Sequence, residues 1–148
     1  MNNSLTEEQV KVLNMSQSVI NEVRKVIIGK DEIIIKVLLS ILAGGHILIE
    51  DIPGVGKTTL AVALSKALSL DYKRLQFTPD VLPTDVTGFT ILNKETHKFE
   101  YKQGAALTNL FLADEINRTS SKTQSALLEV MEEGKVTAVS YTHLRAHE

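Results

Sequence analysis

The 148-residue sequence contains no cysteine, and aromatic residues make up only 5% of it. Without cysteine the chain can form neither a disulfide bond nor a thiolate zinc site. Proteins that need neither are typical of reducing compartments, so we expect a cytoplasmic location. The first residues also lack the basic start and the apolar stretch of a signal peptide, which argues against export by that route.

The sequence also lacks an excess of positive charge. Its 16 Lys and Arg residues stand against 18 Asp and Glu residues, which gives a formal net charge of -2. No block of basic residues offers the surface that a nucleic-acid-binding protein needs. Nucleic acid is therefore not an expected partner.

Long apolar runs are absent too. The most apolar window, Ile33–Leu42, is interrupted by Lys36 and Ser40. It is far shorter than the roughly 20 residues that a membrane-spanning helix needs, so we expect no membrane span. We predict instead a helix that is packed on several sides, because it is apolar nearly all round.

The sequence does contain an alternation of helical and extended patterns. With 43% apolar residues, the chain is long enough for one domain with its own core. Helical spacing predicts four helices, at about 6–26, 31–42, 57–70 and 120–134. Short apolar runs predict three strands, at 46–50, 72–77 and 109–114, and a polar turn predicts a hairpin over 90–101. This order indicates an α/β fold in which helices flank a parallel sheet.

A glycine-rich segment follows the first predicted strand. Residues 50–59 read EDIPGVGKTT and match the phosphate-loop pattern G-x-x-x-x-G-K-[ST] at Gly56, Lys57 and Thr58, with Asp51 at the first glycine position. Glycines let backbone N–H groups curl around a phosphate, while the lysine binds the β- and γ-phosphates and the threonine hydroxyl binds Mg²⁺. A plain glycine-rich turn is the alternative, but the strand, loop and helix order favours ATP. The predicted ATP-binding residues of this loop are Gly54, Val55, Gly56, Lys57, Thr58 and Thr59.

Two acidic residues end the third predicted strand. Asp114 and Glu115 follow the apolar run 110–113. We predict that Asp114 binds ATP-associated Mg²⁺ together with Thr58, and that Glu115 is the general base that activates water. Lys57 is predicted to be catalytic as well, since it contacts the transferred phosphate. Without the upstream phosphate loop, two solvated acids ahead of a helix would be the better interpretation. For Arg118, an exposed position at the start of a helix is favoured over contact with phosphates or a neighbouring subunit.

Three segments together resemble the MoxR family of AAA+ ATPases. They are Leu48–Thr59, Gln76–Gly88, which reads QFTPDVLPTDVTG, and Leu112–Arg118, which reads LADEINR. The resemblance covers about Val10 to Thr137, and Asp51 is common at its position in that family. It implies a ring-forming ATPase that remodels or matures client protein complexes, often beside a protein with a von Willebrand factor A domain. The hairpin would be the family's insertion near the ring face.

The resemblance ends before the chain does. Residues 1–137 are interpreted as the N-terminal part of an AAA+ ATP-binding domain, and 138–148 as an atypical, non-native tail with no regular structure. The family's further sensor residue, arginine finger and helical lid are expected to be missing. Two alternatives to an active ATPase therefore stay open: a fragment that binds nucleotide without appreciable hydrolysis, and another P-loop NTPase such as a kinase or nucleic-acid translocase.

Overall fold

The computed structural model describes residues 5–50, 56–138 and 142–145, and gives side-chain exposure as far as residue 134. The chain divides into two compact units, residues 1–70 and 71–148. In the described ranges no helix is both long enough and apolar enough to cross a membrane.

The described residues of the first unit include three helices: α1 (Glu7–Arg24), α2 (Asp31–Leu42) and α3 (Lys57–Ala67). A capping box starts α1: Thr6 Oγ1 accepts from the Gln9 N–H at 3.3 Å, and Gln9 Oε1 accepts from the Thr6 N–H at 2.9 Å. Apolar residues of all three helices, with Ile27, form one core. Its buried members are Ile20, Val23, Ile27, Ile34, Val37, Leu38, Leu60 and Leu64.

Helix α2 is packed on one side only, contrary to the expectation of burial on several sides. Ile34 is fully buried, but Leu39 and Leu42 are 60% and 56% exposed. A helix buries as many faces as it has neighbours, and α1 and α3 supply the buried residues around it in this unit. The rest of its apolar surface remains open to solvent.

The predicted strand at 46–50 is wrong for this structure. These residues form no regular element, and Leu48 is 71% exposed. A strand exists only where a neighbouring strand satisfies its backbone N–H and C=O groups. Among the described residues no strand pairs with this segment, so its apolar run is not sufficient to make it one.

The second unit contains the parallel sheet, which confirms the α/β class. Strand β1 (Tyr72–Gln76) pairs in parallel with β4 (Leu110–Asp114), with Gln76 opposite Asp114. Between them lie a short helix, α4 (Pro83–Thr87), and the predicted hairpin, formed by β2 (Gly88–Asn93) and β3 (Lys98–Gln103). The connection from β1 to β4 is long, as a parallel pair requires.

Helix α5 (Ser121–Glu133) follows β4 and covers one face of the parallel sheet. At its start Ser120 Oγ accepts from the Thr123 N–H at 3.4 Å, and Gly134 ends it with φ 58°, which agrees with the predicted helix over about 120–134. The core beneath it is apolar. Its buried members are Phe77, Val86, Ala106 and Leu127.

The last described elements are β5 (Lys135–Ala138) and β6 (Thr142–Arg145), which pair in an antiparallel arrangement. Residues 142–145 were expected to lack regular structure because they show no apolar period. Hairpin pairing is made by backbone groups, so it does not require such a period.

The base of the β2–β3 hairpin is a close backbone crossing at Gly88. Its φ of 89° and ψ of -179° are in a region that only glycine adopts readily. A Cβ at this position would lie 2.7 Å from the Gly104 nitrogen and closer still to the Lys102 carbonyl oxygen. The Tyr101 hydroxyl donates to the Thr87 carbonyl beside it. The hairpin is thus joined to α4 without room for a side chain.

Gly88→Ala is therefore expected to destabilise the second unit by about 2 to 4 kcal/mol, because backbone strain and steric overlap add. The measurement is the shift of the urea-unfolding midpoint followed by circular dichroism. Gly134→Ala is the matched control: its φ of 58° is also positive, but a Cβ there meets nothing within 4 Å. Equal losses in the two variants would contradict the steric explanation.

Candidate functional site

The predicted phosphate loop is described from Gly56 onwards. Residues 51–55, which include the predicted ligands Gly54 and Val55, lie outside the described residues. Gly56 has φ 89° and ψ 20°, a left-handed conformation that glycine adopts without cost, and it directly precedes α3. The left-handed residue turns the chain sharply into the helix.

Lys57, Thr58 and Thr59 are the first three residues of α3. The first N–H groups of a helix have no partner within it and form its positive end, which suits an anionic phosphate. Lys57 and Thr58 are half-buried, whereas Thr59 is exposed. Leu60 and Leu64, one and two turns further on, are 6% and 1% exposed and anchor the helix in the core. The start of α3 is therefore held by packing.

The acidic pair lies at the carboxyl end of β4. Asp114 is its last residue, and its carbonyl oxygen accepts from the Phe77 N–H at 2.8 Å, which continues the parallel ladder. Glu115 follows with φ 56° and ψ 41°. A left-handed conformation at a residue other than glycine costs on the order of 1 to 3 kcal/mol, and such residues concentrate at functional sites.

Both acids are held by cationic side chains. Arg74 Nη2 lies 2.6 Å from Asp114 Oδ2, and Arg118 Nη1 lies 2.6 Å from Glu115 Oε2. Gln76 Nε2 donates to the same Glu115 oxygen at 3.3 Å. The hydrogen bond from Arg118, followed by that from Gln76, lowers the pKa of the Glu115 carboxyl. Glu115 is therefore ionised at neutral pH and acts as an acceptor.

Arg74 and Gln76 were not identified from the sequence as partners of the two acids, although the alternation of residues along β1 could have indicated it. Tyr72, Arg74 and Gln76 alternate along β1, so they lie on one face of the sheet, and Asp114 is in register with Gln76. The favoured interpretation of Arg118 was correct in part: its side chain is 54% exposed, but it also contacts Glu115.

A polar cluster fixes the turn that carries the acids. Gln124 Nε2, on α5, donates to the carbonyl oxygens of Ile116 at 3.1 Å and Thr119 at 3.4 Å. The Thr123 hydroxyl, which is fully buried, donates to the Val81 carbonyl at 2.8 Å. These bonds tie the residues after Glu115, and the segment after β1, to the start of α5. Rigid support of this kind is what a catalytic carboxylate requires.

The residues fit a magnesium nucleotide by their chemistry. The Thr58 hydroxyl and the Asp114 carboxylate are hard oxygen ligands of the kind that Mg²⁺ prefers, and Mg²⁺ is commonly bound by one or two protein groups together with substrate phosphates. Lys57 adds a positive charge at the start of α3. By the chemistry of their side chains, Lys57 thus suits a phosphate, and Thr58 and Asp114 suit its metal ion.

An ATPase family model and several known proteins match most of the chain. Residues 46–147 match the model of the ATPase family associated with various cellular activities (AAA). The chain is 55% identical over 123 residues to the uncharacterized protein YeaC of Bacillus subtilis, covering 83% of this chain and 38% of that protein. It is 42% identical over 115 residues to chaperone MoxR1 of Mycobacterium tuberculosis, covering 78% of this chain and 30% of that protein.

The fold has a counterpart among solved structures. A candidate ATPase from Cytophaga hutchinsonii matches with a TM-score of 0.77 and 41% identity, over 97% of this chain and 45% of that one. The chain thus spans less than half the length of each of these three proteins. Because the family model matches well over half of the chain, the chain belongs to the AAA family of ATPases and, by its likeness to the MoxR proteins, to the MoxR type within it.

Proposed function

We propose that this chain binds ATP with Mg²⁺ and contributes to its hydrolysis. The observation that carries the proposal is the left-handed Gly56 leading directly into a helix whose first residues are Lys57 and Thr58. That arrangement brings a cation, a hydroxyl and the first backbone N–H groups of the helix to one helix end. Membership of an ATPase family supports the same conclusion.

The roles follow from the chemistry of the side chains. Lys57 would bind the β- and γ-phosphates, and Thr58 and Asp114 would hold Mg²⁺. The metal, when bound, neutralises the developing charge on the phosphates. Glu115 would accept the proton of the attacking water. Its contacts with Arg118 and Gln76 lower its pKa and so weaken it as a base, so opening those contacts would strengthen it.

Binding without turnover is the second candidate function. It is favoured by one observation, the short contacts that Arg74 and Arg118 make with Asp114 and Glu115. A carboxylate oxygen occupied by a guanidinium is less available to a metal or a water molecule. In this case the chain would hold ATP but release little phosphate.

Nucleotide binding and phosphate release by the purified chain decide between these functions. A fluorescent ATP analogue is titrated in Mg²⁺ and again in excess EDTA, and phosphate release is followed on the same preparation. We expect saturable binding that is tighter with Mg²⁺, because the metal links phosphate oxygens to protein oxygens. A folded chain that does not bind the analogue in either buffer would overturn the proposal.

We further propose a role for the whole protein, based on the name of one of its relatives. The printed name of one relative is chaperone MoxR1. By that likeness, ATP would drive the remodelling or maturation of client protein complexes by a ring of identical subunits. A von Willebrand factor A domain protein is the partner we propose.

A further inference from the structure

One face of the parallel sheet carries a line of polar side chains that ends at the predicted metal ligand. Tyr72, Arg74 and Gln76 lie on this face of β1, and Asp114 lies on the same face of β4. Arg74 is in register with Leu112, so its guanidinium reaches forward by two residue pairs to Asp114. Nη2 lies 2.6 Å from Oδ2.

This contact is partly shielded from solvent. The Asp114 side chain is only 24% exposed and that of Arg74 is 41% exposed. Partial burial reduces solvent screening, and a hydrogen bond between charged groups is roughly twice as strong as one between neutral groups. Arginine also stays protonated at any ordinary pH, so the positive charge beside Asp114 is permanent.

We infer that Arg74 is a positioning residue that occupies Asp114 in place of the divalent cation until metal and nucleotide bind. Two cations compete here for one carboxylate, and they also repel each other at close range. The guanidinium therefore opposes metal binding at Asp114, both by occupying Oδ2 and by its charge. In return, Asp114 is never a partly buried charge without a partner, which would be costly. The inference rests on the proposed function, since it assigns Asp114 to Mg²⁺.

A purely structural role makes a different prediction. If the pair only fastened β1 to β4, removing the guanidinium would lower stability and leave the affinity for metal unchanged. Competition predicts a higher affinity for metal in the same variant. Metal affinity therefore separates the two roles, whatever the effect on stability.

The test is a titration with Mn²⁺ alone, followed by paramagnetic broadening of the backbone amide signals of Asp114 and its neighbours. In Arg74→Gln, half-broadening should require about 3- to 10-fold less Mn²⁺ than in the wild type, which corresponds to removing one partly screened charge contact. Arg74→Lys keeps the charge without the planar fork, and should shift the titration in the same direction but less. If Arg74→Gln does not fold, the Mn²⁺ titration of Arg74→Lys tests the inference instead.

Lys73→Gln is the matched control, because it removes one positive charge from the neighbouring position of β1 on the opposite face of the sheet. It should leave the titration within about 2-fold of wild type, as expected for a distant screened charge. The inference is overturned if the folded Arg74 variants require as much Mn²⁺ as wild type or more, or if Lys73→Gln has the same effect as Arg74→Gln. No nucleotide is present, so a failure of ATP binding would be seen separately and would count against the proposed function alone.

Discussion

Lys57→Ala is expected to weaken ATP binding by about 100-fold or more. Truncating one partner of a desolvated charge pair costs about 2 to 5 kcal/mol, and Lys57 is half-buried at the start of α3, where its ammonium would face the phosphates. The loss should be as large for the diphosphate as for the triphosphate if the β-phosphate is the main contact. Equilibrium titration with a fluorescent analogue, in Mg²⁺, gives both affinities.

Lys66→Ala provides the control for Lys57→Ala. Lys66 lies near the end of the same helix and is exposed, so its removal changes the charge of α3 by the same amount. We expect its ATP affinity to stay within about 2-fold of wild type, since an exposed charge more than one turn from the ligand is screened. If Lys57→Ala folds like wild type and still binds ATP equally well, the phosphate-loop assignment is wrong.

Features of the fold that depend on neighbouring residues could be predicted from the sequence. The capping box of Thr6 and Gln9, the cap at Ser120 and the glycine that ends α5 are interactions within three or four residues. The hairpin over 90–101 is equally local, because its strands are joined by a short polar turn. These elements can be predicted because the residues that interact to form them are close together in the sequence.

Features that depend on distant partners could not be predicted in the same way. Residues 46–50 have the composition of a buried strand, but a strand also needs a neighbour, and composition does not supply one. Arg74 and Gln76 are polar residues in a predicted strand, and nothing near them in the sequence indicates that they face Asp114 and Glu115. That fact follows only from the pairing of β1 with β4, across about 40 residues of chain.

The second prediction with a large effect concerns the acid at the end of β4. Glu115→Gln should lower the rate of phosphate release by about 10²- to 10⁴-fold, the usual contribution of a general base. The amide has the shape of the carboxylate and can still accept from Arg118, so the turn after β4 should keep its conformation. ATP affinity should therefore stay within about 3-fold of wild type, since Asp114 and the phosphate loop are unchanged. Single-turnover phosphate release and equilibrium binding separate the two quantities.

Glu129→Gln makes the same chemical change at an exposed position of α5 in the same unit, and should leave both quantities unchanged. A Glu115→Gln chain that releases phosphate at the wild-type rate would exclude Glu115 as the base.

A wild-type chain that binds ATP and releases no phosphate would favour the second candidate function, in which Arg74 and Arg118 keep the acids from acting. In that case Arg118→Gln becomes informative, because it frees Glu115 from its shortest contact while leaving the carboxylate in place. Phosphate release that appears only in Arg118→Gln would assign the missing activity to that contact rather than to the absence of a base.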